Sequence, residues 1–267
     1  VALAQPIAAG RTAEVFAWGD GRILKLLRPG MPERIGRAEA AAMAIAMAAR
    51  LAVPRLYETV RVEGRFGLVY ERVEGRSMMD TLARRPWLAG RLAGQFAGLQ
   101  ASMHNASGAG LPDLRGHLEQ KMERAGEALP AEMKAAARTR LAALPDGDAI
   151  CHGDMHPGNV LMTSTGPLAI DWLTVTRGDP AADVARTLYL LTEARIPGET
   201  GILERSAVTA VRRLFARSYL RSYRRLRAVD PGAVAAWRPV VLAARLSEGI
   251  EAEREALVRM LRVTLAE

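Results

Sequence analysis

The sequence predicts an α+β protein with a small strand-rich N-terminal lobe over residues 1–74 and a larger, mainly helical C-terminal lobe over residues 75–267. Three observations carry this expectation. Short apolar runs bounded by glycine and proline crowd the first lobe, as in Ile23-Leu24-Lys25-Leu26-Leu27 between Gly21 and Pro29. Apolar residues at helical spacing dominate from Met78 onward. Between the two lies the polar segment Glu74-Gly75-Arg76-Ser77. With 267 residues, 49% of them hydrophobic, the chain is long enough for one large or two small domains and can bury a substantial core.

In chain order, Ala9-Gly10-Arg11-Thr12-Ala13-Glu14-Val15-Phe16 reads on its own as a hairpin turn entering a strand. The run around Lys25 reads as a buried strand. Ala38 to Met47 is alanine-rich and favours helix, but it is too short and too interrupted by charge to span a membrane. Phe66-Gly67-Leu68-Val69-Tyr70 is a strand that leaves its sheet through Glu71-Arg72-Val73-Glu74-Gly75. Helical spacing then runs from Met78 to Leu82 and from Leu88 to Met103, breaks at Ser107–Pro112, and resumes from Leu118 to Leu144. Val160-Leu161-Met162, a turn from Thr163 to Gly166, and Leu168-Ala169-Ile170 form a β-hairpin. Gly178-Asp179-Pro180 opens another helix, with Asp179 suited to the N-cap and Pro180 to the first turn. Further on, Val208, Val211, Phe215, Tyr219 and Leu226 repeat at helical spacing among many arginines. Glu248, Glu251 and Glu255 follow at an i, i+3, i+7 interval, which places them on one helical face.

The chemistry concentrates between Cys151 and Trp172. His152-Gly153-Asp154 and Asn159 match a loop of the form H-x-D-x-x-x-x-N, in which the aspartate takes or orients a hydroxyl proton and the asparagine holds a metal ion. The hairpin that follows returns Asp171 to the same end as Asn159, so two oxygen ligands from separate segments can hold Mg²⁺. His152, Asp154 and His156 also alternate, as zinc ligands on a strand would. Against this, Pro157-Gly158 ends any strand there, and only His104 and His117 remain to complete a shell. Of 37 Lys and Arg residues only Lys25, Lys121 and Lys134 are lysines. Lys25 lies within an apolar strand, where an ammonium needs a partner. Its expected role is to hold the α- and β-phosphates while paired with Glu39 of the following helix, Glu33 being the alternative.

His152-Gly153-Asp154-Met155-His156-Pro157-Gly158-Asn159-Val160-Leu161, with Ile170-Asp171-Trp172 and Gly178-Asp179-Pro180-Ala181-Ala182-Asp183, resembles the aminoglycoside phosphotransferase family over nearly the whole chain. The resemblance implies a bilobal protein-kinase-like fold and transfer of the γ-phosphoryl group of ATP, or of GTP, to a small-molecule hydroxyl with Mg²⁺. It implies Asp154 as the catalytic residue, Asn159 and Asp171 as metal ligands, and His152 and Asp183 as supports of the loop. It puts Gly10 and Thr12 at the phosphates, although only one glycine stands where a glycine-rich loop would have several. By alignment, the Glu71 carbonyl and the Val73 N–H would read the adenine edge, with Tyr70 at the back of the pocket. The acceptor would meet His156, Trp237, Glu248 and Glu251. His152-Gly153-Asp154 lacks the arginine of H-R-D, Asp171-Trp172-Leu173 replaces D-F-G, and no A-P-E segment follows, so protein substrates are not expected. A nucleotide-binding scaffold that has lost catalysis is the alternative, and its expected mark is loss of Lys25, Asp154, Asn159 or Asp171; all four are present.

The net charge of +8 gives polycations no long-range steering, so a hydroxylated metabolite or a weakly basic antibiotic suits the chain as well as an aminoglycoside does. The arginine-rich segment reads as a packed amphipathic helix, and no nucleic-acid partner is expected. One cysteine, Cys151, precludes an internal disulfide and fits a reducing, cytoplasmic compartment. Val1–Pro6 lacks the marks of a secretory signal, and no run of about twenty apolar residues suggests a membrane partner.

Overall fold

The computed structural model describes residues 3–195 and 202–266; Val1 and Ala2, within the segment read for a signal, lie outside the described residues. The first elements are strands β1 (Ala8–Ala9), β2 (Ala13–Ala17) and β3 (Arg22–Leu27), helix α1 (Glu33–Ala48), strands β4 (Leu56–Val62), β5 (Arg65–Glu71) and β6 (Arg76–Ser77), and helix α2 (Met78–Arg84). Helices α3 (Ala89–His104), α4 (Leu114–Arg124) and α5 (Ala131–Ala143) lead to strands β7 (Ala149–Cys151), β8 (Val160–Thr163), β9 (Gly166–Ala169) and β10 (Thr176–Gly178). Helices α6 (Pro180–Thr192), α7 (Ile202–Leu226), α8 (Pro231–Arg245) and α9 (Glu251–Ala266) complete the described chain. Among the described residues no helix is long and apolar enough to cross a membrane.

The chain separates into two compact units. The first comprises the residues up to Thr81 together with Pro157–Val175, and the second comprises Leu82–His156 and the residues from Thr176 on. In the first unit β1, β2, β3, β5 and β4 form an antiparallel sheet in that spatial order. Leu24 and Leu26 of β3 are fully buried with Phe16, Val62 and Val69, while Lys25 between them points to the other face. Helix α1 buries Gly36, Glu39, Ala42, Met43 and Ala46, a stripe at helical spacing. Glu39 lies inside that apolar stripe, so its carboxylate must find a cation.

The hairpin β8–β9 belongs to this unit through β6. Arg76 pairs with Met162 and Ser77 with Leu161, and the Ala169 amide donates to the Ala52 carbonyl at 2.9 Å. The residues after Asn159 thus pack with strands more than eighty positions earlier instead of following a linear division at residue 74. Gly75 permits that approach, because a Cβ on it would lie well inside contact distance of the Met162 carbonyl. Gly75→Ala is expected to push β6 off β8 and cost about 2 kcal/mol, read as a lower urea midpoint with an unchanged slope.

In the second unit α3 and α7 pack through Phe96, whose ring meets Phe215 at 5.6 Å and Tyr219 at 5.4 Å, both edge-on. A further core joins α4, α5, α6, α8 and α9 around Leu118, Met122, Leu141, Tyr189, Trp237 and Leu257. Helix α6 starts as its sequence implies: the Asp179 carboxylate accepts from the Ala181 amide and Pro180 occupies the first turn.

Three local expectations need correction. The span from Leu118 to Leu144 is two helices, because Gly126 takes a left-handed φ of 53° and Leu129, ahead of Pro130, is extended. Leu226 does not join the apolar stripe of α7; it is 56% exposed, whereas Phe215, Tyr219 and Tyr223 are buried. Glu248, Glu251 and Glu255 do not share a helical face. Glu248 ends a 3₁₀ turn, Gly249 follows at φ 64°, and α9 begins only at Glu251.

Candidate active site

Strand β3, helix α1 and the end of the β8–β9 hairpin bring Lys25, Glu39 and Asp171 together within the first unit. The Lys25 ammonium lies 2.7 Å from Glu39 Oε1 and 2.9 Å from Asp171 Oδ1. Burial would lower the lysine pKa, but the charges and hydrogen bonds of Glu39 and Asp171 outweigh it and raise the value. The Tyr70 hydroxyl donates to Glu39 Oε1 at 3.0 Å, and burial followed by the Glu39 charge raises the phenol well above its ordinary range. Among the described residues Glu39 Oε2 is buried without a hydrogen-bond partner. Tyr70 therefore acts first as a brace for the glutamate.

The hairpin sets the metal-ligand candidates. The Ile170 amide donates to the Asn159 carbonyl at 3.0 Å, which holds Asn159 and Asp171 at one end of the turn. Asn159 is nearly buried, while the Asp171 side chain is 46% exposed. Asp171 adopts φ 65° and ψ 70°, a left-handed conformation that aspartate tolerates better than most side chains. An amide oxygen and a carboxylate are hard donors that fit Mg²⁺, which takes one or two such ligands and fills its remaining positions with phosphate and water. Among the described residues no group of three or more His, Cys, Asp and Glu side chains forms a metal cluster, so the zinc arrangement is not assembled.

The first turn is committed to its own hydrogen bonds. The Gly10 amide donates to the Ala13 carbonyl at 2.8 Å, and Arg28 donates from its side chain to the Gly10 carbonyl and from its backbone to that of Thr12. At the other segment read for nucleotide contact, the Glu71 amide donates to the Arg55 carbonyl, and the Glu71 carboxylate accepts from the Arg55 amide at 3.3 Å. Val73 is half-buried just beyond β5.

In the second unit the loop after β7 is held from below by Asp183, on the first turn of α6. Its carboxylate accepts from the backbone amides of His152 at 3.1 Å and Gly153 at 2.7 Å. It also accepts from Gln100 at 2.9 Å and meets His104 Nε2 at 3.0 Å, while His104 Nδ1 faces the Tyr223 hydroxyl at 2.5 Å. Burial would raise the Asp183 pKa, but these donors, His104 first, bring it down to about 2. His152 is fully buried, and its Nδ1 accepts from the Asp154 amide at 3.4 Å.

Asp154 is half-buried. Arg186 Nη2 lies 3.2 Å from its Oδ1 and His156 Nε2 lies 3.7 Å from its Oδ2. Burial pushes this carboxyl up, but the His156 hydrogen bond and the Arg186 charge hold it well below the usual carboxylate range. Arg186 also meets Glu248 at 2.7 Å, and Glu248 carries Lys121 at 2.9 Å and Arg245 besides. His117, beside this cluster, is pushed down to about 4 by burial and by Lys121, Arg124 and Arg186.

Two acceptor candidates are thus spent elsewhere. Trp237 is 2% exposed, and its indole N–H donates to Asp179 Oδ2 at 2.9 Å, so it is a core residue bracing the α6 cap. Glu248 is half-buried among three cations. Glu251 is 87% exposed and 4.0 Å from Arg254. His156 alone of the four lies beside Asp154. Arg186 and Gln100 escaped the sequence reading, and His104 entered it only as a candidate zinc ligand. The available signal for Arg186 was a charge inside the apolar run Val184-Ala185-Arg186-Thr187-Leu188, where buried arginine requires a partner.

Solved structures share this architecture. An aminoglycoside-3'-phosphotransferase of type VIII superposes with a TM-score of 0.59 at 23% identity, covering 91% of this chain and 92% of its own. An amicoumacin kinase, solved in complex with AMP-PNP, Ca²⁺ and Ami, gives 0.63 at 17%, covering 97% and 86%. A choline/ethanolamine kinase family protein from Mesorhizobium loti gives 0.58 at 20%, covering 97% and 90%. The fold is therefore protein-kinase-like. Residues 4–237 match the phosphotransferase enzyme family, APH, and the chain belongs to that family. No curated protein matches it.

Proposed function

We propose that the protein transfers the γ-phosphoryl group of ATP, or of GTP, to a hydroxyl of a small molecule in the cytoplasm. The observation that carries this reading is the Lys25 ammonium clamped between Glu39 and Asp171 at 2.7 and 2.9 Å. A lysine so held is fixed in direction and remains charged, which suits it to the α- and β-phosphates. Asn159 and Asp171 would hold Mg²⁺, whose charge when bound neutralises the phosphate oxygens. Asp154 accepts or orients the acceptor's hydroxyl proton. Its depressed pKa suits orientation better than strong base action, as expected for a loose transition state in which placement dominates. His152 and Asp183 keep the loop in register. Gly10 and Thr12 would approach the phosphates, and the Glu71 carbonyl and Val73 N–H would meet the adenine edge.

The acceptor reading follows from charge. Glu248 is enclosed by cations and Glu251 stands exposed beside Arg254, so neither offers a free acid to a polycation. His156, beside Asp154, is the remaining acceptor contact. A neutral or weakly basic antibiotic, or a hydroxylated metabolite, fits this wall better than a highly charged aminoglycoside. Family membership and the presence of Lys25, Asp154, Asn159 and Asp171 favour an active enzyme over a scaffold.

The test is a melting shift with ATP or GTP plus Mg²⁺, followed by ADP or GDP release across a panel of hydroxylated antibiotics and metabolites. The expected result is a nucleotide-dependent shift and turnover on at least one alcohol. A shift without turnover on any alcohol favours the scaffold, and the absence of any shift removes the nucleotide site itself.

A further inference from the structure

We infer that Arg186 is a positioning residue for Asp154, one that fixes the direction in which its carboxylate is presented to the acceptor hydroxyl. The inference rests on the proposed role of Asp154 and adds a residue that the loop motif does not contain. Arg186 reaches the loop at two points. Its Nε donates to the Gly153 carbonyl at 3.2 Å and its Nη2 to Asp154 Oδ1 at 3.2 Å. One planar group thus holds both the peptide ahead of Asp154 and the carboxylate, and a carboxylate held at its backbone and at one oxygen has lost its rotational freedom. His156 faces the other carboxylate oxygen, Oδ2, at 3.7 Å.

Arg186 is itself anchored. Its side chain is 9% exposed, and its Nη2 also donates to Glu248 Oε1 at 2.7 Å. Glu248 is held by Lys121 and Arg245. Arg245 in turn makes two bonds to Glu253, at 2.8 and 3.0 Å, and Glu253 accepts from the Tyr189 hydroxyl and the Arg195 amide. Lys121, Arg186 and Arg245 alternate with Asp154, Glu248 and Glu253 in a balanced chain running from the loop into α8 and α9. Such a chain is costly to desolvate and is a poor source of net stability compared with apolar packing. Its geometry is better explained by the orientation it imposes on Asp154.

The experiment uses the full chain and needs no identified acceptor: steady-state ATP hydrolysis with Mg²⁺, water serving as the alcohol, in Arg186→Met, Arg186→Lys and Asp154→Asn, with circular dichroism confirming the fold of each. Removing the clamp is expected to lower kcat about a hundredfold in Arg186→Met, the loss typical of a misplaced reacting group, with KM for ATP within about twofold of the parent. Lysine restores the charge but only one of the two contact points, so Arg186→Lys should recover to within about tenfold. Near-normal hydrolysis in Asp154→Asn defeats the reading of Asp154 itself. An inactive Asp154→Asn beside a folded Arg186→Met with parental kcat, or with its loss in KM instead, overturns the inference about Arg186. If Arg186→Met fails to fold, Arg186→Gln, which also lacks the charge and the fork, decides by the same criterion.

Discussion

Asp171→Asn is expected to melt within a few degrees of the parent protein and to lose about a thousandfold or more in kcat for phosphoryl transfer. The two effects separate because the carboxylate is 46% exposed, so its removal neither opens a cavity nor strands a buried group. Lys25 keeps its shorter contact with Glu39, which is the buried member of the pair. Asparagine also accepts the left-handed backbone at φ 65°, which alanine would occupy at a cost of about 1–2 kcal/mol. The amide replacement thus isolates charge from strain, and Asp171→Ala should be equally inactive but less stable. The reading requires that activity be lost at every Mg²⁺ concentration or return only at a greatly raised one. Near-normal turnover at the parent's Mg²⁺ requirement would remove Asp171 from the metal site.

Asp183→Ala should produce the largest loss of stability, about 3–5 kcal/mol, together with loss of activity. The side chain is 3% exposed and satisfies the amides of His152 and Gly153, the Gln100 amide and His104 at once, so truncation orphans several buried donors. A pH signature accompanies it. The folded pKa, about 2, lies below the unfolded value of about 3.9, so the carboxylate's contribution is complete above pH 4 and disappears as the pH falls toward 2. That contribution is of the order of 2–3 kcal/mol. Asp183→Asn keeps the shape but not this dependence. Its urea midpoint should fall at pH 7 and converge on that of the parent as both approach pH 2. Parallel curves across that range would show that the charge of Asp183 does not support the loop.

What the sequence disclosed shares one property: it was either local or chemically conspicuous. The β8–β9 hairpin, the Asp179-Pro180 cap and the five-residue interval from Asp154 to Asn159 are properties of neighbouring residues, set by turn chemistry and backbone geometry. Lys25 stood out because the chain uses arginine almost everywhere else, and an ammonium in an apolar strand demanded the acid that α1 supplies in Glu39. The break at Gly126 and Pro130 was also local. It went unread because apolar spacing continues through it, and periodicity by itself does not sense a change of direction.

Tertiary structure alone decided the partners of residues far apart in the chain. Glu248 seemed by its spacing to share a helical face with Glu251 and Glu255, yet it meets Arg186 across 62 positions and Lys121 across 127. Trp237 looked available to a ligand and instead donates to Asp179 across 58. The spacing of side chains along one helix carries no information about the helix packed against it, so charges and aromatic groups of the helical unit could be assigned to a surface or a core only once that packing was known. Local backbone preference and the cost of burying an unpaired charge are written residue by residue, and they placed Lys25, Asp154, Asn159 and Asp171 on their strands and loops. The pairing of one helix with another depends on the whole fold, and it turned Glu248 inward and put Arg186 beneath Asp154.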